Sequence, residues 1–336
     1  MKLLAPIRAL DELEMLAAAG AEELYCGIVP QEWADRYQGA AWLNRRAPRN
    51  GSLETYREMR ELTDAAGKLS IPVFVTLNAP YYTAEQLPLV ADLASRLALE
   101  CGVKAFIVSD IPLLETFSGM QLPADLHVSS VAASLNVEAV RFLQEFGPTR
   151  IVLPRSVTLA EIREITEAVR DELEIEVFLL NDGCAFEEGF CATTHHHSVG
   201  AFCTSLSTME AEFEWNGPFY SGRRQKWLTK NLADYREWVW YVNGNGCGST
   251  AKGLPYGPCG LCALPQLQRI GVASLKIVGR EASPFKKMAS VRMAADILSR
   301  VRSGATEEAL IDRARSLRGE PHHCDSGYMC YYKVEQ

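Results

Sequence analysis

The sequence predicts an α/β fold, a (β/α)8 TIM-like barrel with a long cysteine-rich insertion between strands 7 and 8. Three observations carry this. Short apolar runs recur eight times along 336 residues, and most are continuous, as strands of a buried parallel sheet should be. Amphipathic segments at helical spacing lie between them, and parallel neighbours need such crossovers. The chain is also long enough for one barrel of roughly 250 residues with a sizeable insertion. An open doubly wound sheet gives the same alternation until closure is seen.

Taken in order, the strand candidates are Leu3-Leu4, then 23–26 (Glu-Leu-Tyr-Cys), 72–77, 105–108, 126–128, 150–153, 175–180 and 274–278. Helix starts are marked by Thr83 with Gln86 and by Thr158 with Glu161. In each pair the Thr oxygen can take an orphan helix N–H while the Glu or Gln reaches back. Leu87, Val90, Leu93 and Leu97 follow at helical spacing, as do Leu159, Ile162, Ile165 and Val169. The rhythm is regular over 1–180, the barrel's first seven strands. It breaks over 181–270, the insertion or lid, and resumes over 271–318 with strand 8 and two closing helices, around 288–301 and 306–317. A His/Cys tail follows over 319–336. Loops after the strands form the active face of such barrels, so the insertion is where function is expected.

Hydrophobic residues at 48% and charged residues at 23% exclude disorder, collagen and coiled coil as the main architecture. With 34 Lys and Arg against 42 Asp and Glu, the formal charge is −8. That is the wrong sign for holding a long phosphate backbone over a whole face, though it leaves room for a local basic groove. No apolar run approaches the ~20 residues of a membrane span, and the first ten residues lack a leader's apolar stretch, so a cytoplasmic protein is expected. In that reducing compartment the ten cysteines read as metal ligands plus core thiols rather than disulfides.

The insertion holds Cys184, Cys191, Cys203, Cys247, Cys259 and Cys262, among turn-forming Gly183, Gly189, Gly257 and Gly260. Thiolates are soft ligands for iron–sulfur clusters or zinc. Only Cys259-x-x-Cys262 is a CxxC pair, so the spacing leaves both metals open.

Several segments resemble the peptidase U32 family in order and spacing. They are Leu4-Ala5-Pro6, Glu23-Leu24-Tyr25-Cys26-Gly27, Val75-Thr76-Leu77-Asn78, Val108-Ser109-Asp110, His127-Val128-Ser129, 150–155 and 274–280 (Ser-Leu-Lys-Ile-Val-Gly-Arg). The resemblance implies a barrel with an oxygen-sensitive [4Fe–4S] cluster on four cysteines. It also implies oxygen-independent hydroxylation of a tRNA uridine, an rRNA cytidine or a ubiquinone precursor, with prephenate as oxygen donor. Carried onto this chain, the family's ligands fall on Cys184, Cys191, Cys203 and Cys259, the last 17 residues before Lys276. Cys262 is the alternative ligand and zinc the alternative metal. Departures from the family pattern are Val278 in place of Glu, Pro154-Arg155-Ser156 in place of Ala-Arg-Glu, Ser129-Ser130-Val131 in place of Ser-Thr-Gln, and Leu180 in place of His. These polar groups face the barrel mouth in the family, which leaves this chain's substrate and reaction open.

Arg155 and Arg280 follow strands 6 and 8, where a guanidinium fork could clamp a carboxylate or form a structural ion pair. His127 is a candidate general acid or a core imidazole. Asp110, Asn78 and Tyr25 are candidates for the mouth, and Asp110 before Pro112 reads equally as a helix cap. Glu187 and Glu188 could support the cluster or be solvated loop charge. At most one of His195, His196 and His197 could reach a metal. His322, His323, Cys324 and Cys330 offer a second metal site or thiols packed in the tail, flanked by Tyr328, Tyr331 and Tyr332.

Trp215, Phe219, Tyr220, Trp227, Tyr235, Trp238, Trp240 and Tyr241 interleave with Arg223, Arg224, Lys226 and Lys230. That mixture could stack bases and hold phosphates of single-stranded RNA. A lid burying its rings over the cluster agrees better with the negative overall charge.

The first expectation is therefore a cluster-dependent hydroxylase of a small aromatic or quinone-like molecule, because the chain is too compact for the extra domains of RNA-acting relatives. RNA-base hydroxylation is second, with RNA as partner. It is distinguished by whether the four basic residues make one stripe beside the mouth. A peptidase is third, without an HExxH helix or a Ser/His/Asp arrangement in the sequence to support it. The fourth is a non-catalytic, cluster-bearing partner of a second U32 subunit.

Overall fold

The computed structural model describes all residues except 39–40, 47–50, 185–186, 192–221, 247–249, 251–253, 256, 328 and 333–336, and the backbone alone over 235–246. Its strands are β1 (Lys2–Pro6), β2 (Glu23–Cys26), β3 (Val73–Leu77), β4 (Ala105–Val108), β5 (Asp125–Val128), β6 (Arg150–Val152), β7 (Glu174–Leu180) and β8 (Ser274–Ile277). They close in sequence order into one parallel barrel. Pairing of Lys2 with Ser274 and of Leu4 with Lys276 makes the closure, which decides for the barrel over an open sheet.

The Thr158–Glu161 box opens helix Leu159–Val169. Thr83 and Gln86 exchange the two expected bonds ahead of helix Gln86–Cys101. A third box, Thr55 with Glu58, opens helix Tyr56–Lys68. The closing helices run Pro284–Arg302 and Glu307–Arg318, and a short helix, Pro321–Ser326, lies in the tail. Among the described residues no helix is long and apolar enough to cross a membrane.

The strands' outward side chains and the helices' apolar faces make one large core. Inside the barrel, Leu4, Tyr25, Phe74, Ala105 and Ile107 pack together, but much of the remaining interior is ionic. Arg150 of β6 reaches Glu23 of β2 at 2.8 Å and Glu176 of β7 at 3.1 Å. A side chain can span β6 to β2 only through the lumen. Lys276 bonds the other oxygen of Glu176 at 2.8 Å, and Ser274 donates to Glu23 at 2.8 Å. Burial alone would raise both carboxyls. The Arg150 hydrogen bond and charge hold Glu23 below its ordinary range, and Lys276 with Arg150 does the same for Glu176.

Removing one member of such a network leaves a buried charge unmatched, which costs about 3–5 kcal/mol. Arg150→Met should therefore lower unfolding free energy by that amount in urea titrations. A change below about 1 kcal/mol would show that the lumen is better hydrated than this packing implies.

Candidate active site at the barrel mouth

At the C-terminal ends of the strands, where barrels of this type carry their chemistry, a cavity of about 80 Å³ opens among the strand ends and the loops that follow them. Among the described residues, Arg45, Arg46, Arg155, Lys276 and Arg280 line it against a single carboxylate, Glu188. Three of these cations have carboxylate partners, Arg46 with Asp182, Arg155 with Glu188 and Lys276 with Glu176, so the cavity's positive character rests on Arg280 and Arg45.

Arg280 is the most deeply held of these. Gly279 turns the chain after β8 with φ of +111°, a conformation glycine adopts without strain, and Arg280 folds back at 4% exposure. Its Nη1 donates to Thr76 Oγ1 at 2.9 Å and its Nη2 to Asn44 Oδ1 at 2.8 Å. Both partners are neutral. Burial pushes its pKa down to about 10, so it stays charged at neutral pH. The fork packs against Gly27, where a Cβ would lie 2.2 Å from Arg280 Nη1.

The loop leaving β7 forms the opposite wall. Asn181 and Asp182 take the left-handed conformation, with φ of +70° and +46°, and turn the chain over the mouth. Asn181 Nδ2 is tied to the Val278 carbonyl and to Ser290 Oγ, and the Asp182 carboxylate pairs with Arg46. Farther along, Glu188 binds both the Arg155 guanidinium and the Arg155 backbone N–H, while Arg155 stacks 3.7 Å above the Phe178 ring. Gly189 sits so close to the turn after β5 that a Cβ would lie 2.7 Å from Ala133 Cα. These contacts place Cys191 beside the cavity, where its Sγ accepts a hydrogen bond from Arg45 Nη2 at 3.1 Å.

Lys276 lies 4.5 Å from the Tyr25 ring centre. Burial lowers its pKa, while the neighbouring Glu176 carboxylate works in the opposite sense.

Of the expected site residues, Arg155 and Arg280 meet at the cavity, joined by Tyr25 and Asn78. Asp110 does not line it. Its two oxygens accept from Leu113 N and Tyr82 N, making it the cap of helix Ile111–Ser118. His127 does not line it either, since it points into the lumen with its edge toward Phe74 and with Nδ1 unpaired among the described residues. Glu187 caps the turn Glu188–Phe190.

Cys184 is exposed, and Cys259 and Cys262 line a different cavity. Cys203, Cys247 and His195 to His197 fall outside the described residues. Among the described residues, no three His, Cys, Asp or Glu side chains are grouped so as to hold a metal ion. The run Asn44-Arg45-Arg46 was not anticipated. Its position in the loop after β2, on the active face, was the available signal.

Burial, reinforced by Arg150, drives the His127 pKa well below its ordinary 6.5. The native state then binds fewer protons than the unfolded chain once pH falls below about 6.5. This contribution to stability is full above that value and is lost with acid, at up to about 1.4 kcal/mol per pH unit. Compared with wild type, His127→Phe should show a flatter loss of stability between pH 6.5 and 5. Parallel curves for the two proteins would show that the imidazole is not held neutral.

In the insertion, helix Gly222–Gly246 exposes Arg223, Arg224, Lys226 and Lys230, and Trp227 is 66% exposed. Of the rings expected to be buried in a lid, only that of Trp227 lies among the described side chains, and it is exposed. Arg223, Lys226 and Lys230 share one face with Trp227 by helical spacing, while Arg224 falls beside that face, and Lys230 pairs with Asp234.

The family description that matches this chain is peptidase family U32, over residues 8–336. The chain is similar to a protein named tRNA hydroxylation protein P1 from Bacillus subtilis, at 29% identity over 195 residues, covering 58% of this chain and 42% of that one. It is also similar to 23S rRNA 5-hydroxycytidine C2501 synthase from Escherichia coli, at 32% over 150 residues, covering 44% and 21%. A protein named collagenase from Porphyromonas gingivalis is 25% identical over 210 residues, covering 60% and 46%. The chain therefore spans less than half the length of each of these relatives. With a match across nearly its whole length, the chain belongs to peptidase family U32.

Proposed function

We propose that this chain takes part in oxygen-independent hydroxylation of an RNA pyrimidine base, with a small carboxylate-bearing oxygen donor bound at the barrel mouth. The observation that carries this is Arg280, a buried guanidinium seated on neutral oxygens in a cavity lined by four further cations. Such a site is built for an anion, and prephenate, with its carboxylates, has the required charge.

Two findings favour RNA over the small aromatic or quinone-like substrate. Two similar proteins are named for tRNA and rRNA hydroxylation. The exposed face of Arg223, Lys226, Trp227 and Lys230 also has the aromatic and basic chemistry that single-stranded RNA takes. A peptidase is less well supported, because His127 lies in the lumen without a partner on Nδ1 among the described residues.

Cys184 and Cys191 would be two ligands of a [4Fe–4S] cluster near this cavity, with Cys203, outside the described residues, as a third, and the Arg45 hydrogen bond to Cys191 Sγ suits a thiolate ligand. When bound, that group would supply the electron transfer that hydroxylation needs. The residues of the chain bind and orient. Arg280 fixes a carboxylate, Arg155 on Phe178 closes one wall, and Lys276 above Tyr25 holds positive charge at the cavity floor. The base gains one oxygen atom in a two-electron oxidation, and the donor loses that oxygen in the matching reduction.

The test is mass spectrometry of nucleosides from total RNA of a deletion strain grown without oxygen. A hydroxylated pyrimidine absent from the deletion and restored by this chain is the expected result. Unchanged nucleosides would remove the RNA substrate.

A further inference from the structure

A second cavity, of about 390 Å³, lies at the end of the insertion. It is bounded by Cys259-Gly260-x-Cys262, by helix Glu307–Arg318 and by the tail. Cys259, Cys262, Cys324 and Cys330 all line it. The backbone holds the two pairs together. Cys259 N donates to the Met329 carbonyl at 2.7 Å, Tyr331 N donates to the Cys259 carbonyl at 3.0 Å, and Cys259 bridges Cys330 as a parallel partner. The tail is pinned further by Tyr332, whose hydroxyl donates to the Phe178 carbonyl at 2.7 Å.

These thiols are not packed as core thiols are. Cys26 and Cys101 are buried in the barrel's core, whereas the four here are half-buried, Cys259 and Cys262 lie at the core's edge, and all four open onto one shared space. Arg315 and Arg318 line the same cavity. Arg318 is held there by the Gly257 carbonyl, to which its guanidinium donates. Two guanidiniums oppose the negative charge that four thiolates would bring together.

We propose that Cys259, Cys262, Cys324 and Cys330 form a four-thiolate site for an iron–sulfur cluster, distinct from the mouth. Four cysteines are a complete ligand set for such a cluster. The alternative soft-metal occupant, one tetrahedral zinc, draws its sulfurs to about 2.3 Å from the metal. A cluster spreads its thiolates more widely than one ion does, which suits four cysteines brought from the end of the insertion and from the tail around one cavity. The assignment takes Cys259 out of the mouth set. It also gives the tail a task, since a bound cluster would clamp 324–330 onto the end of the insertion. It goes beyond the proposed hydroxylation and does not depend on it.

The test is anaerobic purification with iron, sulfide and zinc counted per chain, on wild type and on Cys262→Ser, Cys324→Ser and Cys330→Ser, beside Cys184→Ser and Cys191→Ser. The expected result is that wild type holds about eight irons and eight sulfides, that each of the first three variants loses about four of each from the tail site, and that the last two keep the tail's four while losing the mouth's. Metal content unchanged in the first three overturns the site. Zinc lost in their place overturns the cluster. Failure of the mouth reading would show separately, as no iron lost in the Cys184 and Cys191 variants.

Because a variant can misfold, wild type is also alkylated and mapped by peptide mass spectrometry before and after the metal is chelated. Cys259, Cys262, Cys324 and Cys330 should be protected and then released together. Labelling without chelation, or protection that survives it, overturns the proposal.

Discussion

Arg280→Met is expected to weaken prephenate binding by about 10²-fold or more and to reduce hydroxylated product at least as far. Truncating one partner of a buried, hydrogen-bonded charge pair costs roughly 2–5 kcal/mol, and 2.7 kcal/mol is already about 10²-fold. Arg280 fits that case because it is buried and its protein partners, Thr76 and Asn44, are neutral. A bound carboxylate would be its charge partner. Arg280→Lys keeps the charge but loses the fork that spans Thr76 and Asn44, so it should recover only part of the affinity. Calorimetric titration with prephenate checks both variants. With its pKa near 10, Arg280 should give wild type an affinity that changes little between pH 6 and 8. Equal affinity in wild type and Arg280→Met would sink the anion site, whatever the RNA experiment shows.

The barrel was legible because its strands are buried on both faces and so read as apolar runs. Seven candidate runs match their strands within one residue at each end, and β1 extends one residue before Leu3 and two past Leu4. Arg155 and Arg280 were legible for a related reason, since each follows a strand end and the C-terminal ends of parallel strands meet at one face. Asn44, Arg45 and Arg46 follow the same rule, but they lie 18 to 20 residues past Cys26, the end of β2, and loop geometry decides whether such residues return to the mouth.

The lumen's ion network was hidden for another reason. Glu176 sits inside the run Ile175 to Leu180, and a charge there signals a buried partner without naming it. That partner, Arg150, belongs to a different strand. His127 and Asp110 show the limit of residue type alone. Each is a side chain that catalysis uses often, and here burial holds one neutral in the lumen while backbone bonds occupy the other. Counting residues back from Lys276 picked out Cys259. The structure pairs its backbone with Leu180 at the end of β7 and with Cys330, 71 residues away in sequence, a pairing that no spacing rule reveals.

Gly27→Ala should weaken prephenate binding nearly as much as Arg280→Met, although it removes no polar group. The added methyl would lie 2.2 Å from Arg280 Nη1, 2.7 Å from Ser52 Oγ and 2.8 Å from Asn44 Nδ2. All three neighbours are buried, so none can swing into solvent to make room. Moving Asn44 would also strain its Nδ2 bond to Ser52 at 3.3 Å and its Oδ1 bond to Arg280. Gly27 itself is anchored, because its carbonyl accepts from Leu53 N at 2.8 Å. The side chain with the longest reach must therefore yield, and that is Arg280. Overpacking of this kind costs about 1–3 kcal/mol of stability, less than the loss expected in binding.

A double-mutant cycle separates displacement of Arg280 from a general loss of structure. If Gly27 acts by seating the guanidinium, Gly27→Ala added to Arg280→Met should change prephenate affinity by less than about twofold, because residues in contact are not additive. Full additivity would mean that the methyl disturbs the mouth by another route. Comparing the melting temperatures of the four proteins shows whether all of them remain folded. Glycine at position 27 would then be set by the arginine that crosses it rather than by its own backbone conformation.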